Sequence, residues 1–178
     1  LENSYALGHD LLVPPDATSE FPIADVDAAN GKLYVAINNI HSNINNTFFI
    51  FDISQYSQKP AYISSVDNAL SISAGLNAIQ VVNPYAYAAN AGASNFATCP
   101  SGSCGQLQII DLATTPPAAQ APYKIPGVTG KSGQAIGTSI FYKNGIIYLG
   151  LAKTLSGPEF NIIDVGGGGH SGSPINPI

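Results

Sequence analysis

The chain has 178 residues, of which only 10% are charged; 11 Asp and Glu stand against six Lys and Arg, for a formal net charge of −5. With its few basic residues scattered, it offers no cationic surface for nucleic-acid phosphates or anionic lipid, and no run nears the roughly 18 apolar residues that span a bilayer. Gly, Pro, Asn, Ser and Thr separate short β-branched and aromatic runs, the mark of an all-β chain of one domain or part of a repetitive assembly.

In chain order, residues 2–8 (ENSYALG) read as a short leading strand, and residues 1–20 as that strand with its linker. An alternating run, FPIADVD (21–27), is followed by GKLYVAI (31–37), a polar loop at 38–47, FFIFDI (48–53) and, after a Pro-bearing turn, KPAYISSV (59–66). The same order returns as LNAIQVV (76–82), PYAYAAN (84–90), a loop at 91–105, LQIIDL (107–112) and APYKIPGV (121–128). It returns once more as IGTSIFY (136–142), GIIYLGL (145–151), a loop at 152–159 and FNIIDV (160–165). Here the chain ends one residue past Pro177, the counterpart of Pro60 and Pro122, so the third copy is expected to lack its last strand.

Tyr34, Tyr87 and Tyr148 mark the second run of each copy at intervals of 53 and 61 residues, and Asp52, Asp111 and Asp164 close the third. Four short strands at a period of about 40 to 60 residues predict β-propeller blades. The expected fold is therefore all-β: about three blades of four antiparallel strands, forming a partial propeller or half of a larger ring. The expected divisions are 1–20, then blades at 21–67, 68–130 and 131–178 within a single unit. The runs FIFDI, LQIID and FNIID resemble the third-strand motif of the LVIVD-repeat family of β-propellers, and the resemblance covers nearly all of residues 21–178. It implies a propeller fold and, loosely, a surface or secreted setting.

The repeated Asp residues suit a structural role, since a strand-end carboxylate accepts hydrogen bonds from the turn that follows; a ring of three could alternatively line a metal mouth. The three tyrosines are expected to pack between blades. Cys99 and Cys104, in CPSGSC, are close enough to close a small loop as a disulfide; two free thiols are the alternative, and a zinc site is the least favoured because four ligands are not at hand. Asn45-Asn46-Thr47 is a glycosylation sequon of low specificity.

His9, His41 and His170 lie in three loop contexts without ligand spacing. GGGGHSGS lacks the Gly-Lys-Ser/Thr ending of a phosphate loop and the closing Gly of a nucleophile elbow. No motif identifies a catalytic, cofactor or metal site. The three polar loops between second and third strands are expected to project from one face and to suit a glycan or protein ligand. The leading expectation is thus a non-enzymatic, extracellular or cell-surface module for interaction or structural display. A polysaccharide-directed enzyme using Asp25, Asp27 or Glu159 is the runner-up, and a strand-exchanging assembly subunit the third class. The absence of Met, the leading strand and the short last copy point to a processed chain or a piece of a longer parent; the alternative is head-to-tail association of identical chains.

Overall fold

The computed structural model describes residue 11 and residues 22–38, 46–55, 58–67, 75–91, 105–129, 135–152, 154–166 and 176–177. Among the described residues the regular elements are all strands. β1 (Ile23–Ala29), β2 (Lys32–Ile37), β3 (Asn46–Asp52) and β4 (Ala61–Asp67) form one antiparallel sheet in sequence order. β5 (Leu76–Val82), β6 (Tyr85–Asn90), β7 (Leu107–Asp111) and β8 (Ala118–Ala119) form a second, and β9 (Ile136–Lys143), β10 (Ile146–Ala152), β11 (Phe160–Asp164) and β12 (Asn176–Pro177) a third. Among the described residues none of the sheets closes on itself.

The first hairpins of the outer two sheets turn on Asn30-Gly31 and Asn144-Gly145, with φ of 53° and 72°, and 51° and 82°. Positive φ at both central residues matches the right-handed twist of the flanking strands, which is why Asn-Gly occupies them. The pairing then follows one pattern in all three sheets. Tyr34 lies between Asp27 and Ile50, Tyr87 between Gln80 and Ile109, and Tyr148 between Phe141 and Ile162. The first hairpin of each also shifts register at a corresponding place, between Ile23 and Asp25, Leu76 and Ala78, and Gly150 and Leu151.

The sheets stack face to face, meeting mainly through their first strands. Tyr34, Ala36, Phe48 and Ile50 pack on Ile79, Ala86, Ala88 and Ile110. Tyr87, Ala89, Leu107 and Ile109 pack on Ile147, Leu149 and Ile163, with Ile125 and Val128 completing that layer. The middle sheet is covered on both faces, so its central strand β6 reads as a nearly continuous apolar run rather than as an alternating one. β3 reads the same way for a different reason: its other face, Phe49 and Phe51 beside Val35 and Ile37, is closed together with Leu11.

Two differences from the sequence expectation concern fourth strands. In the second sheet that strand was expected over 121–128 but falls at Ala118–Ala119, continued by Gln120 N–H donating to Ile109 O and by the reciprocal bonds of Leu107 and Tyr123. Pro116, Pro117, Pro122 and Pro126 remove the backbone donors a regular ladder would require. The third sheet, expected to stop at three strands, has a two-residue fourth: Asn176 pairs with Asp164 and Pro177 with Ile163. Of the expected leading segment, residues 2–8 lie outside the described residues.

Candidate functional site: the loop end and the first-strand braces

β1, β5 and β9 run in the same direction. Asp25 and Asp27 each reach the strand beside them with equal offset, Asp25 Oδ2 accepting from Ile79 N–H (2.8 Å) and Asp27 Oδ2 from Val81 N–H (2.7 Å). Asn77 and Gln80 reach β9 in the same sense, Asn77 Nδ2 donating to Gly137 O (2.7 Å) and Gln80 Oε1 accepting from Tyr142 N–H (2.9 Å). The second strands therefore all finish, at Ile37, Asn90 and Ala152, at one end of the stack.

That end is tied across the three sheets by polar groups. Asn38 Nδ2 donates to Asn77 Oδ1 (2.6 Å), whose own amide reaches Gly137 O. Asn90 is fully buried and donates from its side chain to Gly105 O (3.0 Å) and from its backbone to Gln106 O (2.9 Å). Gln106 Oε1 in turn accepts from Ile125 N–H (2.9 Å). Gly137 passes so close to this layer that a β-carbon there would strike Gln106 O and stand 2.8 Å from Asn90 N. In the third connection, Thr129 and the 155–156 backbone exchange hydrogen bonds, Leu155 stays 61% exposed, and Thr154 Oγ1 stands 3.5 Å from Glu159 Oε1.

The sequence-nominated carboxylates separate into two kinds. Asp52, Asp111 and Asp164 each accept through Oδ1 the N–H two residues on, from Ser54 (2.7 Å), Ala113 (2.8 Å) and Gly166 (2.8 Å), which fixes the turn after the third strand. The Ser54 hydrogen bonds, helped by Lys32, hold Asp52 below the usual carboxylate range. Asp25 and Asp27 are braces between sheets: while Oδ2 takes the N–H of β5, Oδ1 takes the N–H of the next residue in their own strand, Val26 (2.9 Å) and Ala28 (2.7 Å). Both oxygens of both carboxylates are engaged with backbone.

Tyr34 and Tyr87 stand in the two inter-sheet layers, and Tyr87 stacks on Tyr142 with centroids 5.7 Å apart and planes 8° from parallel. Tyr148 lies on the far face of the third sheet, beside Phe141 and Phe160 at 6.2 and 6.3 Å. Burial raises the phenols of Tyr34, Tyr87 and Tyr123 above their ordinary value, with Asp27 adding to the effect at Tyr34 and Tyr142 and Tyr85 at Tyr87. Above a pH of 10.0, the ordinary phenol value, the unfolded chain loses these protons while the folded chain keeps them, so the unfolded state binds fewer protons and stability falls with rising pH. Thermal melting followed between pH 8 and about 11.5 will show the midpoint drop above about pH 10, with a shallower drop in Tyr87→Phe. A midpoint independent of pH over that range would contradict the burial of these phenols.

Cys99, Cys104, His9, His41, His170 and Asn45 lie outside the described residues. Among the described residues, no group of three or more His, Cys, Asp or Glu could hold a metal ion, and no helix is long and apolar enough to cross a membrane. The residues that sequence reasoning missed are Asn77, Gln80, Gly137 and Phe141. Their signal was position: Gln80 and Phe141 occupy in their copies the place of Asp27, opposite the tyrosine. No protein-family model, curated protein or solved structure matches the chain, so the resemblance to LVIVD repeats rests on the quoted residues alone.

Proposed function

We propose that the chain is a β-propeller segment of the LVIVD-repeat kind, working outside the cytoplasm as a non-enzymatic interaction module whose binding face is the loop end. The observation that carries this reading is the common direction of β1, β5 and β9, which puts the ends of the three second strands, Ile37, Asn90 and Ala152, together over a layer braced by Asn38, Asn77, Asn90 and Gln106. Stacked four-stranded sheets meeting through their first strands support the propeller reading. The chemistry of that end is amide and hydroxyl with little charge, which suits the hydroxyl groups of a glycan; a polar protein surface is the second ligand class.

The polysaccharide-hydrolase alternative requires an acid and a base, or a nucleophile, converging on one bond. Asp25 and Asp27 are instead committed to backbone N–H groups, which weighs against it. The test is to replace residues 154–159 by Gly and Ser at equal length and compare both proteins on a glycan array. Binding by the parent that falls at least about tenfold in the replaced chain, with an unchanged far-ultraviolet spectrum, is the expected result; an affinity change of that size corresponds to about 1.4 kcal/mol. Equal binding by both proteins removes the assignment to this connection, and binding by neither removes the glycan reading.

A further inference from the structure

Each of the first two sheets buries its tyrosine face against the next sheet; the third does not. Phe141, Tyr148 and Ile162 form a row directly equivalent to Asp27, Tyr34 and Ile50, and to Gln80, Tyr87 and Ile109. On this row Phe141 is 54% exposed, and the neighbouring Phe160 is 60% exposed. At the opposite end of the stack, the outward side of β1 carries Ile23 and Val26, each 52% exposed. Val26 corresponds to Ile79, which is buried under the first sheet.

The two ends depart from the internal pattern in matched ways. Inside the stack, a side-chain acceptor on one first strand meets a backbone donor on the next: Asp25 with Ile79, Asp27 with Val81, Gln80 with Tyr142. At the tail, Phe141 stands where Asp27 and Gln80 stand and has no acceptor to offer. At the head, the corresponding donors, Val26 N–H and Ala28 N–H, are already taken by Asp25 Oδ1 and Asp27 Oδ1 of their own strand. At position 141 a face without an acceptor fits a strand whose matching donor, Ala28 N–H, is already bound, while Ser139, at the place of Asp25, keeps only a movable hydroxyl. A sheet presenting bare first-strand N–H groups would have to bury them unpaired against Phe141, which is unfavourable.

We propose that a second copy of this chain docks head to tail on the first, the outward side of its β1 covering Phe141 and Tyr148 of β9 and β10. The contact continues the internal junctions, which also run chiefly along first strands. Leu11 closes the head over β2 and β3 at Val35, Ile37, Phe49 and Phe51 and leaves the Ile23 and Val26 strip of β1 open. Such an interface is heterologous, with a different surface on each partner. It is independent of whether the loop end binds a glycan.

Sedimentation velocity over a hundredfold range of concentration tests the arrangement. The parent chain is expected to self-associate, and Phe141→Asp and Val26→Asp each to weaken that association at least about tenfold, since either removes one half of the junction. Mixed together, the two variants are expected to form a heterodimer, because Phe141→Asp keeps an intact head and Val26→Asp an intact tail. Both positions are solvent-exposed, and far-ultraviolet circular dichroism checks the fold; Phe141→Ser gives the same readout should the aspartate disturb the sheet. A parent monomeric at every concentration would overturn the proposal and give the face to a following segment of a longer polypeptide or to another protein. Association lost in Phe141→Asp but unchanged in Val26→Asp would overturn it in favour of a two-fold contact between tails, and failure of the mixture to associate would overturn it as well.

Discussion

Gly137→Val will detach the third sheet from the second. A side chain at position 137 meets backbone rather than a flexible tip, the carbonyl oxygen of Gln106 and the nitrogen of Asn90, so relief requires one of two packed sheets to move. Asn90 and Gln106 are fully buried and hydrogen-bonded to Gly105 and Ile125, which leaves that layer little freedom to yield. The expected cost is about 3 kcal/mol or more, the upper part of the range for overpacking a well-filled interior. Urea denaturation will show it as a lower midpoint. Gly150→Ala, whose β-carbon would meet the movable hydroxyl of Ser139, will lose far less. Equal losses for the two glycines would show that the close crossing at Gly137 is not what holds the sheets.

The paired variant Asp25→Ala/Asp27→Ala will come next in severity. It removes two charged acceptors from the junction of the first and second sheets and leaves Ile79 N–H and Val81 N–H without them. Hydrogen bonds to charged groups contribute about 1.5–3 kcal/mol each; both sites are half-buried and screened by solvent, so about 2–4 kcal/mol is expected for the pair. Amide exchange separates this from a general loss of stability: Ile79 and Val81 will exchange faster relative to Ile147 and Leu149 in the other layer. Asp25→Asn/Asp27→Asn, which keeps an acceptor oxygen at each site, will retain part of the protection. If exchange rises equally in both layers, the carboxylates are not local braces.

Much of the architecture could be read from spacing because its cause is local. Period-two alternation, Pro-bearing turns and a strand-end Asp each act within a few residues, and the ends of β2, β3, β6, β7, β10 and β11 fall close to the runs identified from sequence. Fourth strands were less legible. β8 is displaced because prolines compete with the ladder, and β12 is two residues long, too short to show periodicity. Asp25 and Asp27 stood out as carboxylates and were weighed as catalytic candidates, yet their partners lie 54 residues away in sequence and nothing near them announces a brace.

By itself the sequence determined an all-β chain whose strands come in three groups, four strands expected in each of the first two and three in the last, each with a tyrosine in its second strand, because strand pairing between neighbours in sequence is governed by turns and alternation. Only the tertiary structure decided which face of each sheet is buried, that Asp27 and Gln80 occupy one position and serve one purpose, and that Phe141 at that same position is left open. The reason is physical: the two faces of a strand carry the same alternation wherever it lies in a stack, and what distinguishes an inner sheet from an outer one is the neighbour placed against it.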